Sequence, residues 1–275
     1  MNADFDPVTL SEADGVRYLH LGSIWVQGAM RIKQPQRVEL EYVQRMLASL
    51  LWFDSAALTD ARDPGYAVQL GLGAGAITRF TAQQLRMPTT AVEINPWVIE
   101  VGKRWFALPS DVHGEHLQLI AMDAGAWLRQ HAAAQSVRLL HVDLYDHDAA
   151  APVLDDEAFY ADCRGVLEHG GVMSVNLFGR NASFARSAAR IASVFGADQV
   201  WSLQPTREGN TVVIAARGVV VPDREVLTQR AAHIERRFAG CGLPARKWLR
   251  MVRPYLEPAT VPRAEALDAP SATLA

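Results

Sequence analysis

The stretch "YAVQLGLGAGAITRF", Tyr66–Phe80, decides the fold. Its first half, "YAVQLGL", reads as a buried strand, and the apolar spacing of "AITRFTAQQL" reads as a helix. Between them three glycines, Gly71, Gly73 and Gly75, alternate where the strand should end. Glycines at a strand-to-helix turn let the backbone approach a ligand closely, and the helix N-terminus offers free N–H groups. The spacing is GxGxG, because Ala76 stands where GxGxxG needs a glycine, so the turn alone does not specify a dinucleotide. The turn also carries no charge.

Strands and helices alternate outward from this turn. Strand candidates are "YAVQLGL", "TTAVEI", "LQLIAMD", "VRLLHVDLY", "GGVMSVNLF", "QVWSLQP" and "TVVIAARG". Helical spacing fills most of the gaps, in "PWVIEVGKRWF", "AGAWLRQHAAA", "LDDEAFYADCRGVL" and "NASFARSAARIASVF". Such alternation predicts an α/β fold with a mostly parallel seven-stranded sheet and helices on both faces. The last two strands are joined by a short polar link and read as an antiparallel hairpin at one edge. Upstream, residues 1–16 are polar and read as loose, "RYLHLGSIWVQGAMRI" as a short β-hairpin, and "RVELEYVQRMLASLLWF" as an amphipathic helix. The expected organisation is an N-terminal hairpin segment over 1–37, a nucleoside-binding domain over 38–218, a helical extension over 219–257, and a Pro/Ala-rich disordered tail over 258–275.

Composition narrows the partners. The chain has 275 residues, 49% of them hydrophobic, enough for one large core. A formal net charge of −3 gives no basic surplus for general nucleic-acid binding. The two cysteines, Cys163 and Cys241, are far apart and form no CxxC, which fits a reducing compartment and neither a disulfide scaffold nor a structural metal site. The acidic start has no signal-peptide pattern, and no apolar run reaches membrane-spanning length. The expectation is a soluble cytoplasmic protein with no membrane partner.

In an open α/β sheet, ligands bind beyond the C-terminal ends of the strands. Glu93 ends the strand after the glycine turn, where a carboxylate can accept both hydroxyls of a ribose. Asp123 and Ala124 end the next strand, where a carboxylate and nearby N–H groups can read an adenine edge. Glycine turn, ribose acid and adenine acid, in that order, suit an adenosyl-sulfonium. Asp143, Asp146 and Asp148 follow in "VDLYDHD", after the fourth strand. Asp155, Asp156 and Glu157 suit a helix N-terminus. The seven tryptophans mostly fall on apolar faces and are expected in the core.

These residues resemble the spermidine/spermine synthases, the polyamine aminopropyltransferases, which are built on the Rossmann-like class I methyltransferase fold. The matching stretches are "VQLGLGAGAITRF", "AVEINPWVIEVGKRWF", "MDAGAWL", "HVDLYDHDAAAPVLDDEAFY", "GGVMSVNLF" and "PTREGNTVVIAA", from about Val38 to Gly218. The resemblance implies Gly71, Gly73, Gly75, Glu93, Asp123, Ala124 and Gln44 at the nucleoside, and Asp143 and Asp146 as the catalytic DxxD. It implies decarboxylated S-adenosylmethionine, or S-adenosylmethionine itself, as co-substrate, a polyamine or other amine as acceptor, no metal, and a homodimer. Gln69 favours this branch, since class I methyltransferases usually carry an acid two residues before the first glycine. The chain also departs from the pattern. Ala74 stands where the family has the Asp that holds the donor amine, Val43 and Arg45 replace a Tyr and an acid around Gln44, and the N-terminal β-domain is short. The alternatives to aminopropyl transfer are methyl transfer from S-adenosylmethionine and a catalytically silent nucleoside-binding relative.

Overall fold

The computed structural model describes residues 5–54, 63–109, 117–145, 154–178 and 182–256. In chain order the elements are β1 (Val8–Ala13), β2 (Val16–Leu21), β3 (Gly28–Arg31), α1 (Glu41–Met46), β4 (Ala67–Leu70), α2 (Ala76–Arg79), β5 (Thr89–Glu93), α3 (Pro96–Trp105), β6 (Leu117–Ala121), α4 (Ala124–His131), β7 (Val137–Val142), α5 (Glu157–Val166), β8 (Leu167–Phe178), α6 (Ala182–Phe195), β9 (Val200–Ser202), β10 (Asn210–Ala216), α7 (Arg224–Arg237), α8 (Ala245–Met251) and β11 (Arg253–Pro254).

The main sheet runs β11-β9-β10-β8-β7-β4-β5-β6. Its β8-β7-β4-β5-β6 stretch is parallel, and β10, β9 and β11 join by antiparallel pairings. The sheet therefore has eight strands, not seven. The additional one, β11, is only two residues long and lacks the β-branched alternation that marks a strand in sequence.

Alternation along the strands separates two apolar layers. Val212, Ile214 and Ala216 of β10 face a cluster holding Leu50, Phe80, Phe238 and Trp248, whereas Val213 and Ala215 face Trp127, Tyr160, Cys163 and Ile191. Among the described residues, no helix is long and apolar enough to cross a membrane.

The N-terminal segment forms a three-stranded antiparallel sheet, β1-β2-β3, rather than one hairpin. β1 falls in the stretch expected to be loose. Its polar residues face solvent, and the Asp14-Gly15 turn, both residues at positive φ, returns the chain into β2. A third small core, with Leu19, Met30, Leu72, Val98 and Phe106, joins this sheet to the glycine turn and α3. Two expected helices are shorter than their apolar spacing suggests. α1 tightens into a 3-10 helix over Leu47–Trp52, and α2 widens into a π-helix over Phe80–Leu85. Four tryptophans, Trp52, Trp127, Trp201 and Trp248, are buried, while Trp25, Trp97 and Trp105 are exposed.

Candidate active site

The site lies where β4, β5, β6 and β7 end. At Gly71 the backbone adopts φ +84°, and a Cβ there would stand 2.1 Å from the Asp143 carbonyl oxygen. Only glycine allows the turn to lie this close to the end of β7. Gln69 braces the turn from within. Its amide donates to the Gly71 carbonyl at 2.7 Å, and its carbonyl accepts from the Thr78 hydroxyl. A carboxylate could not make the first of these bonds, which gives the Gln a physical reason.

The uncharged turn also has a local cause. Ala74 is buried beneath β3, where a Cβ added to Gly28 would fall 2.4 Å from the Ala74 nitrogen and 2.5 Å from its Cβ. A carboxylate at position 74 would have to be buried against strand backbone. The turn is closed from the other side by Arg79, whose guanidinium donates to the carbonyls of Ala74 at 2.6 Å and Phe106 at 2.7 Å.

A cleft along this turn is lined by Gly71, Gly73, Glu93, Asp123, Ala124 and Asp143. Glu93 accepts the Leu72 N–H on one carboxylate oxygen and the Asn95 N–H on the other, each at 2.9 Å. Burial pushes its pKa up against those bonds. Asp123 caps α4 by accepting from the Ala126 N–H at 2.8 Å, and remains exposed at the cleft. Gly75 lies behind the lining, packed on Leu108. Gln44 does not line the cleft. Its amide turns back to donate to the Val38 carbonyl at 2.7 Å, because the side chain lies along the start of α1. Asp146 and Asp148 lie outside the described residues.

Asp143 lies between this cleft and a second, wider cavity of about 660 Å³. One of its oxygens accepts the Asn176 amide at 2.8 Å, and the Tyr42 hydroxyl also donates to the carboxylate. Burial raises the Asp143 pKa, and these two donors oppose the shift. Among the described residues no Lys, Arg or His pairs with it. Tyr145 adds a further tie: its hydroxyl donates to the Asn176 carbonyl at 2.8 Å and accepts from the Phe178 N–H at 2.5 Å. Burial pushes the Tyr145 pKa up. Gln27, Asp143 and Tyr145 border both spaces. The carboxylate is therefore hydrogen-bonded in a fixed place, half-buried, and without a cationic partner among the described residues.

Of the expected site residues, Glu93, Asp123 and Asp143 come together along the cleft, and Tyr42, Gln27, Asn176 and Asn210, which no sequence motif singled out, border the spaces beside Asp143. One signal was available for Tyr42: the expected tyrosine, absent at position 43, is supplied one residue earlier.

No protein-family profile matches the chain. It is 31% identical over 233 residues to a polyamine aminopropyltransferase of Chromobacterium violaceum, covering 84% of each chain. It is 32% identical over 212 residues to one of Neisseria meningitidis serogroup A, covering 77% of this chain and 76% of that one. The chain belongs to the polyamine aminopropyltransferase family. Solved structures agree on the fold of this family member. A Corynebacterium glutamicum protein described as a probable spermidine synthase superposes with TM-score 0.68 at 18% identity, covering 90% of this chain and 91% of that one. The spermidine synthase of Thermotoga maritima gives 0.60 at 16%, over 86% and 85%. Human methyltransferase-like protein 13, solved with SAH, gives 0.63 at 18%, over 81% and 98%. An aminopropyltransferase sequence on a methyltransferase-like fold is what the resemblance led one to expect.

Proposed function

We propose that the chain transfers an aminopropyl group from decarboxylated S-adenosylmethionine to a polyamine acceptor such as putrescine, releasing 5′-methylthioadenosine. The observation that carries this reading is the half-buried Asp143 carboxylate, with no cationic partner among the described residues, between the cleft along the glycine turn and a second cavity. A primary amine is cationic at neutral pH and must lose a proton before it attacks. Asp143 orients the amine and takes that proton. The amine nitrogen then forms a bond to the carbon beside the sulfonium, the carbon–sulfur bond breaks, and sulfur leaves as the neutral thioether. Glu93 holds the ribose hydroxyls, Asp123 and the Ala124 N–H read the adenine edge, and Asp146 assists at the amine. Family membership supports these roles, as does the bordering of both spaces by Asp143. Family resemblance favours a homodimer, and two free, buried cysteines fit a cytoplasmic setting.

Ala74 offers no carboxylate to attract the aminopropyl ammonium or to repel the carboxylate of intact S-adenosylmethionine. Calorimetry with both sulfonium compounds and methylthioadenosine separates the readings. Aminopropyl transfer predicts binding of the decarboxylated donor and of methylthioadenosine. Binding of S-adenosylmethionine with no affinity for the decarboxylated form contradicts it.

A further inference from the structure

The cavity on the far side of Asp143 carries four described carboxylates, of Asp143, Glu39, Glu41 and Glu208. Two of the outer three are already neutralised. Glu39 pairs with Arg31 at 2.5 Å and with Arg37 at 3.6 Å, and Glu41 pairs with Arg45 at 2.7 Å. Glu208 makes no ion pair or side-chain hydrogen bond among the described residues. It is exposed on the turn between β9 and β10, which is closed by the Gly209 N–H donating to the Thr206 carbonyl at 3.2 Å.

A polar floor leads from the reacting end to this turn. Asn176 donates to Asp143 at 2.8 Å, and Asn210 donates to the Asn176 side-chain oxygen at 3.1 Å. Asp143 lies just past the end of β7, and Asn176 and Asn210 belong to its successive neighbours β8 and β10, so the floor crosses two strand spacings, about 10 Å. Glu208 stands beyond its far end. The walls above are apolar, with Ile24, Trp25, Leu40 and Phe178. An alkyl chain can lie along such walls, and an ammonium can rest on the faces of Trp25 and Phe178.

We propose that Glu208 determines acceptor length: it receives the distal ammonium of an extended linear triamine whose near amine reacts at Asp143. This rests on the aminopropyl-transfer reading above. Putrescine is too short to span from Asp143 past Asn210, whereas a triamine reaches. Glu39 and Glu41 are held by arginines and so do not compete for the distal charge.

The test is titration of spermidine, putrescine and butylamine into protein saturated with methylthioadenosine, for the wild type and Glu208→Gln, alongside wild-type turnover of the decarboxylated donor. Position 208 is an exposed turn residue, so the variant is expected to fold, and Glu208→Asp serves as the conservative control that keeps part of the affinity. The expected result is that wild type binds spermidine more tightly than putrescine. Glu208→Gln weakens spermidine by about fivefold, the upper end for a solvent-accessible ion pair, and leaves butylamine unchanged. Equal spermidine affinity in the two proteins overturns the proposal, as does an equal loss for butylamine. If putrescine is turned over while Glu208→Gln binds spermidine like wild type, the Glu208 assignment falls and the transfer reading stands. If triamine affinity depends on Glu208 but no methylthioadenosine is released, the transfer reading falls instead.

Discussion

Asp143 follows β7 with its carboxylate half-buried, held by Asn176 and Tyr42 and facing no cation among the described residues. Asp143→Asn keeps the shape and removes the charge and the basicity. Methylthioadenosine binding should stay nearly intact while turnover falls by about 10²–10⁴-fold, the usual contribution of a positioned base. Turnover at the wild-type rate would remove Asp143 as the base, and loss of nucleoside binding would assign it to the adenosyl cleft. The raised pKa fixes two signs. Activity needs the deprotonated carboxylate, so kcat/KM should fall on acidification through a pKa above the ordinary carboxylate value. The folded chain holds the Asp143 proton more tightly than the unfolded chain does. Its stability contribution is therefore full below the unfolded value of 3.8 and is lost as pH rises through the raised folded value. The Asn variant should match wild type in acid melts and exceed it at neutral pH. Asp143 and Glu93 were legible in the sequence because a strand end in an alternating α/β pattern is a defined place. Tyr42, Gln27 and Asn176 were not. They arrive from α1, the β2–β3 connection and β8, and only the tertiary fold brings them to Asp143 and the cavities beside it.

At the scale of elements, the glycine turn is shaped by its neighbours as much as by its own sequence. β3 presses on it through Gly28, with 2.4 Å from an added Cβ to the Ala74 nitrogen. Gly28→Ala has no flexible side chain to displace, so either β3 or the turn must shift. Overpacking of this kind is worth about 1–3 kcal/mol of stability. Because the same turn lines the cleft proposed for the nucleoside, thermal melts and methylthioadenosine titration should both register the substitution. A melting temperature and an affinity equal to wild type would show that β3 does not hold the turn. Apolar spacing predicted helices following Val38 and Ala76, and both are present. It could not show their change of winding, because six residues make only one to two turns, too few apolar positions to tell 3-10, α and π periods apart. The strand β11 was illegible for another reason: Arg253 and Pro254 are exposed and are fixed by pairing with Ser202 and Trp201, not by any pattern of their own.

For the whole molecule, the parallel strands β4 to β7 set the cleft, and β8 with its antiparallel neighbour β10 carries the floor of the second cavity. The placing of the glycine turn, Glu93 and Asp123 along one cleft was readable because they follow or end successive parallel strands. The second cavity was not readable, because its walls come from the N-terminal sheet, α1, β8 and the β9–β10 turn, which are remote in sequence. Aminopropyl transfer requires both spaces to act on one carbon between them. The direct test is to incubate the protein with decarboxylated S-adenosylmethionine, with and without polyamine, and in parallel with S-adenosylmethionine, and to quantify the nucleoside products. The expected result is methylthioadenosine released only when amine is present, in step with the lengthened polyamine. Formation of S-adenosylhomocysteine from S-adenosylmethionine, with no methylthioadenosine from the decarboxylated donor, would contradict it.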